Sequence, residues 1–303
     1  MWRLCHSPVG RLLVRLSLST PRKGVTTTKQ GLAHFLQVHV KVTVPKQIPI
    51  VRSKFLLLVL LAWFSRQADA QIAPDMNALV LEQVRAMPSG GSYSSTPVAT
   101  MALQSAAHFE HGFFFLLPSA ASPSYCSGAT YLVFLKTIER LRRAGALALD
   151  SDTLRALMIR DEQHDGDGIW GRWNANGPGT ARLFYELKLG QNFTDFERAR
   201  PGDFLKIFWT KKVGRSEHGH SVVFLGTEPR ADGEYVSFWS SNEPSGYGVK
   251  SVPRAKIAQA IFSRLTTPAN LAHAAALPPI DPYLARLLTT ESSFAEAKAQ
   301  CGL

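Results

Sequence analysis

The texture of the chain changes at Pro201, and that change constrains the fold more than any other feature of the sequence. Upstream, apolar residues recur at helical spacing; downstream, short β-type runs are separated by Gly, Pro and charged turns. Asp75 is placed to cap a helix over 76–87 that carries Leu79, Val80 and Val84 on one face and stops at Pro88. Residues 88–100 are rich in Ser, Gly, Thr and Pro and read as a loop or linker. Ser122 and Pro123 have the chemistry of an N-cap and a first helical residue. Tyr131, Leu132, Leu135, Ile138 and Leu141 continue at helical spacing as far as Gly145. A shorter helix follows Asp150, and another is expected over 180–189, closed by Gly190. Beyond Pro201, the runs 204–209, 221–225 and 235–240 read as strands of an antiparallel meander. Pro253 then opens a core helix to about Leu265, and 268–282 connects to a C-terminal helix. Helices first and a meander afterwards predict an α+β fold rather than a βα-alternating one, with no internal repeat.

Composition matters next, because a formal charge of +11 points at first to a nucleic-acid partner. Its location removes that reading. Residues 1–70 hold 11 of the 34 Lys and Arg and only one of the 23 acids, Asp69, which leaves 23 bases against 22 acids in 71–303. The excess belongs to the leader, and no nucleic-acid partner is expected. Within the leader, Lys54 precedes a ten-residue apolar run over 55–64, and Ala68 and Ala70 frame a small-residue exit. This predicts a signal peptide cleaved after Ala70, a secreted or periplasmic mature chain and no stable membrane span. Residues 1–50 carry no sustained apolar period, and a true start near Val51 would explain the long extension before an export signal.

Three cysteines occur: Cys5 in the leader, Cys126 and Cys301. Cys126 lies three residues after Pro123, near the start of the long helix, where the helix dipole lowers a thiol pKa and creates a nucleophile. Ser127, Gly128 and Ala129 are small and leave the sulfur approachable. The competing reading is a Cys126–Cys301 disulfide in an exported, non-catalytic ligand-binding domain. A thiolate needs an imidazole partner, and His220 stands at the head of a β-run. Asn242 closes the following run and is suited to hold the second imidazole nitrogen, although turn chemistry before Glu243 and Pro244 accounts for it equally well.

Pro201-Gly202-Asp203-Phe204 followed by Gly219-His220-Ser221-Val222-Val223-Phe224-Leu225-Gly226 resembles the NlpC-type and CHAP-type cell-wall cysteine hydrolases. The resemblance covers roughly 118–265 and implies a papain-like domain there, preceded by a helix and linker over 71–117 and followed by a connector and helix over 266–303. It implies Cys126 as nucleophile, His220 as base and either Asn242 or Ser240 as the group orienting the imidazole. There is no Glu at 240, where CHAP domains carry one, and Tyr125-Cys126-Ser127 departs from their usual signature around the cysteine. The implied activity is hydrolysis of amide or peptide bonds, most often in peptidoglycan, with no cofactor.

Other patterns compete for function. His164, Asp165, Asp167, Glu217, His218 and His220 invite a metal reading, yet Asp-Gly-Asp-Gly is more often a plain turn and no metal is expected. Trp170, Arg172, Trp173, Asn174 and Asn176 belong to a loop that either lines a substrate groove or is pinned by buried Trp; Trp170, Trp173, Asn176 and Ser240 are the candidate substrate contacts. His108 to His111 read as loop surface, Arg140, Arg142 and Arg143 as a solvated helix end, and Asn192-Phe193-Thr194 as a chance sequon.

Overall fold

The computed structural model describes residues 75–111, 113–160 and 163–303; the signal-peptide and cleavage-site expectations lie outside them. Among these residues the chain is mixed α+β. Three elements precede a hairpin: α1 (Met76–Arg85), β1 (Gly90–Gly91) and α2 (Pro97–Ala106). The hairpin strands are β2 (Ala107–Glu110) and β3 (Phe113–Leu116). Four helices follow: α3 (Cys126–Arg143), α4 (Ser151–Ala156), α5 (Gly168–Asn174) and α6 (Gly179–Glu186). Then come β4 (Gly190–Phe193), β5 (Phe204–Phe208), β6 (Val213–Gly214), β7 (Gly219–Arg230), β8 (Gly233–Asn242), β9 (Gly246–Pro253) and β10 (Gln259–Leu265). The chain closes with α7 (Pro282–Arg286), β11 (Glu291–Ser292) and α8 (Phe294–Gln300). Seven strands form one antiparallel sheet in the order β1-β9-β8-β7-β5-β10-β4.

Residues alternate across this sheet. Phe204, Val223 and Trp239 face the helices and share a core with Leu132, Phe134, Trp170, Trp173 and Phe184. Leu205, Ile207, Val222, Phe224, Val236 and Phe238 face the other way and pack with Phe193, Ile257 and Phe262. Met76, Val80, Leu103 and Leu271 belong to the first of these cores, so α1, α2 and the segment around Leu271 share it with the central segment.

Several local expectations hold for local reasons. Asp75 caps α1 by accepting the Asn77 N–H at 3.0 Å, and Asp150 caps α4 by accepting from Thr153 at 2.7 Å. Others are corrected. The long helix begins at Cys126, not at Pro123, with Tyr125 as its N-cap, and the Ser122 hydroxyl instead donates to Gly91 O at 2.7 Å. Residues 97–106 are helical, with Pro97 in the first turn, and 107–116 form a hairpin where a linker and loop surface were expected. The expected core helix of 253–265 is instead a short 3-10 turn (Arg254–Lys256) and strand β10. Its apolar spacing mimics a helix because β10 lies between β5 and β4 and buries residues on both faces, so the usual alternation is absent. The segment expected to be helical to Leu189 stops at Glu186, and Gly190 opens β4 at a position where a Cβ would lie 1.8 Å from Arg264 O.

The Pro201-Gly202-Asp203 turn joins α1 to the sheet. Gly202 has φ +97° and lies against the Asn77 backbone, where a Cβ would meet Asn77 O at 2.5 Å. Asp203 is fully buried and takes Asn77 Nδ2 at 2.8 Å and Arg264 Nε and Nη2 at 2.8 and 2.7 Å. Its charge is therefore paired on every side, as a buried carboxylate requires.

Candidate active site

Cys126 is the first residue of α3. Tyr125 is the N-cap, in an extended conformation, and its side chain turns to Thr100 at 3.2 Å and makes no capping hydrogen bond, so it does not occupy the first-turn amides. The thiol is free and half-buried. Burial by itself would push its pKa up. The hydrogen bond from His220, the His220 charge, the Ser221 backbone N–H and the Lys206 ammonium outweigh that and hold it down at about 6.

His220 is bound in turn by Asn242. Its Nε2–H donates to Asn242 Oδ1 at 3.1 Å. The amide is oriented by its own donors, since Asn242 Nδ2 reaches Gly248 O at 2.9 Å and Ser240 O at 3.2 Å. Its oxygen is thereby left for the imidazole, and Nδ1 is left for the thiol. The pairing follows from register: extending Val223↔Trp239 along β7 and β8 sets His220 opposite Asn242. Trp209 stacks on the imidazole at 6.3 Å and Phe238 meets it edge-on at 5.6 Å, so the ring is held on both flanks. Of the two expected orienting groups, Ser240 does not take part. It is buried and donates to Ser221 O at 2.7 Å, a tie between β8 and β7.

Tyr93 was not among the candidates from sequence. It follows β1, and its hydroxyl hydrogen-bonds the Cys126 thiol, with burial and the thiolate charge both raising its pKa. Its backbone N–H donates to Pro244 O at 3.0 Å, and Ser94 N–H reaches Ser124 O at 2.9 Å, so the β1 strap is tied to the segment leading into Cys126. Nothing local in a Ser-Tyr-Ser stretch marks such a role, because it depends on β1 pairing with β9.

Lys206 is held by Glu217 at 2.7 Å, and the other Glu217 oxygen accepts Gly177 N–H at 2.6 Å and Gly214 N–H at 3.0 Å. This ion pair explains Gly219: a Cβ there would lie 2.8 Å from both Lys206 Nζ and Glu217 Oε1.

Of the expected groove residues, the two tryptophans are packed inside. Trp170 and Trp173 are 2% and 1% exposed and belong to the core. They sit three apart on α5, one face of which packs on α3: Trp173 lies 4.9 Å from Phe134 and 5.1 Å from Phe204, and Trp170 lies 5.1 Å from Tyr131. Trp173 Nε1–H donates to Ser127 O at 3.2 Å, which braces the first turn of α3 from below. Arg172 is fully buried, pairs with Glu186 at 2.8 Å and donates to the carbonyls of Gly166, Gly168 and Pro278. Asn176 is half-buried, with its backbone N–H on Asp165 Oδ2 at 2.8 Å. The small residues after Cys126 serve packing, because a Cβ on Gly128 would meet Leu103 Cδ2 at 2.8 Å.

The disulfide alternative is also corrected. Cys301 is a free thiol buried with Ala181, Phe208, Val213, Ile261 and Ala297, and burial pushes its pKa up to about 12. Asn192 donates to Ala181 O and Cys301 O and accepts from Ser263, so the sequon side chain is engaged. Arg142 and Arg143 both pair with Glu139, and Arg140 pairs with Glu82. Among the described residues, no group of three or more His, Cys, Asp or Glu is placed to hold a metal ion. No described helix is long and apolar enough to cross a membrane. Comparison of the chain with family models, curated proteins and solved structures finds no match, so the reading of this site rests on its own geometry.

Proposed function

We propose that this chain is a thiol hydrolase of amide or peptide bonds, using Cys126, His220 and Asn242 on a papain-like scaffold and acting on peptidoglycan after export. The observation that carries the proposal is the unbroken series of hydrogen bonds from the Cys126 thiol through His220 to Asn242. The helix-then-meander order supports the papain-like part. The leader pattern and the resemblance around Pro201 and Gly219 support export and the substrate class.

In this reading the thiolate of Cys126 attacks the substrate carbonyl while His220 holds the thiol's proton. The Cys126 N–H and the Tyr93 hydroxyl stand beside the sulfur and donate to the tetrahedral oxyanion. Collapse of the intermediate expels the amine, which leaves with the proton from His220, and an acyl thioester remains. Water then gives its proton to His220 and attacks the thioester; the acid is released and the thiolate regenerated. Asn242 keeps the imidazole in the tautomer and orientation that both steps need.

The test is intact-mass analysis after iodoacetamide at mildly acidic pH without reductant, followed by peptidoglycan digests. Rapid single labelling at Cys126 is expected, at a rate that rises with pH through about 6 as the thiolate forms. Cys126→Ser should lower product release by roughly a thousandfold or more. Labelling only after reductant, or full activity in Cys126→Ser, would overturn the mechanism. Normal labelling with untouched peptidoglycan would overturn the substrate class alone.

A further inference from the structure

Among the described residues, five of the ten large apolar side chains that are most exposed come from one stretch of twenty positions: Val98 62%, Met101 63%, Phe113 66%, Phe115 45% and Leu117 62%. They lie on α2, on β3 and on Leu117 just after it, and α2 runs directly into the β2–β3 hairpin. The Leu117 N–H donates to Ala106 O at 2.8 Å, and β2 pairs with β3 from Ala107↔Leu116 to Glu110↔Phe113. On the outer face of the hairpin Phe113 and Phe115 are 6.4 Å apart and His108 stacks on Phe115 at 4.9 Å. The inner face carries Phe114, which is buried, so the outer residues are not required for the core.

The surroundings are basic. Leu116 shares a recess of about 170 Å³ with Lys136, Arg140 and Arg143, and the Arg155 guanidinium lies 5.6 Å over the Phe109 ring. Glu139 is shared by Arg142 and Arg143, Arg140 pairs with Glu82 and Arg155 with Asp152, and among the described residues no ion pair includes Lys136, so these five bases face three acids and positive charge is left over at the base of the hairpin. Toward the turn, Glu110 lies 3.6 Å from His111, an ion pair only when the imidazole is protonated.

We infer that the α2 and β2–β3 surface docks on an anionic lipid bilayer, with Phe113, Phe115 and Leu117 inserted among the acyl chains and Lys136, Arg140 and Arg143 at headgroup level. An apolar tip above a cationic base is the arrangement interfacial membrane binding requires. The area argues against a second copy as occupant. Five such side chains at these exposures offer on the order of 500 Å², below the ~800 Å² per partner of a stable dimer. The inference is independent of the proposed hydrolase activity.

The test is co-sedimentation of residues 71–303, which contain every described core, with vesicles of phosphatidylglycerol and phosphatidylcholine in equal parts and with phosphatidylcholine alone. Binding to the anionic vesicles is expected, weaker on neutral ones and in high salt. Phe113→Ser with Phe115→Ser should weaken it roughly tenfold or more. Lys136→Gln with Arg140→Gln should weaken it on anionic vesicles only. An unchanged Cys126 labelling rate shows that each variant is folded. No binding to anionic vesicles, or equal binding by the double Phe variant, would overturn the inference. So would sedimentation velocity showing a dimer that the Phe substitutions dissolve, which would make a second copy the occupant.

Discussion

The same side chain behaves in opposite ways at two ends of this molecule. Cys126 opens an eighteen-residue helix, half-buried, beside an imidazole, a tyrosine hydroxyl and a lysine ammonium, and its thiol is held at about 6. Cys301 caps the C-terminal end of α8, buried among apolar side chains with only a long contact to Pro178 O at 4.0 Å, and its thiol is pushed up to about 12. Burial raises both. What separates them is the donors aimed at one sulfur and missing from the other, reinforced by the helix ends they occupy: an N-terminus favours an anion and a C-terminus disfavours it. Reactivity in this fold is thus a property of position, and each contact at Cys126 can be removed separately.

Removing His220 should narrow the contrast most. His220→Ala deletes the main stabiliser of the thiolate, so the alkylation profile of Cys126 should move up toward that of an ordinary thiol. At pH 6.5 the rate should fall by roughly a hundredfold, the ratio of thiolate fractions for pKa values of about 6 and about 8.5. Stopped-flow alkylation across pH 5–9 measures it; an unmoved profile would show that the helix terminus and Lys206 suffice.

Asn242→Ala should act more gently, because it removes one hydrogen bond to the ring and leaves Trp209 and Phe238 in place. The expected cost is about 1.4 kcal/mol, a tenfold loss in kcat/KM, with fast alkylation of Cys126 retained. Retained alkylation with reduced turnover separates an orienting role from a structural one, which would damage both.

Cys301→Ala should do least. It deletes one sulfur from a packed cluster and should lower stability by about 1 kcal/mol in urea unfolding, with turnover and Cys126 labelling unchanged. A change in Cys126 reactivity would mean that the two regions are coupled and that the contrast is not purely local.

The chemistry was legible in the sequence where it is local. A cysteine near a helix start, a His at a strand head and an Asn closing the next strand can each be read from neighbours. Tyr93 could not, because its approach to the sulfur depends on a two-residue strand pairing with β9, more than 150 positions away. The tryptophan loop misled for a related reason. Trp, Asn, Arg and Gly together suit either a ligand groove or a packed turn, and which is true depends on whether another surface covers them. Here α3 does, and Trp173 supports the first turn of the Cys126 helix from beneath.

What the sequence by itself determined is the concentration of basic residues in the first 70 positions against a nearly neutral remainder, the helices before a meander, and the caps at Asp75 and Asp150. All follow from composition and from interactions spanning a few residues. Only the tertiary structure decided that 259–265 is a strand between two others, that Asn242 and not Ser240 meets His220, that both cysteines stay free and that Trp170 and Trp173 are core. Each of these depends on strand register or on burial by distant segments, and neither is encoded in the periodicity of the segment concerned.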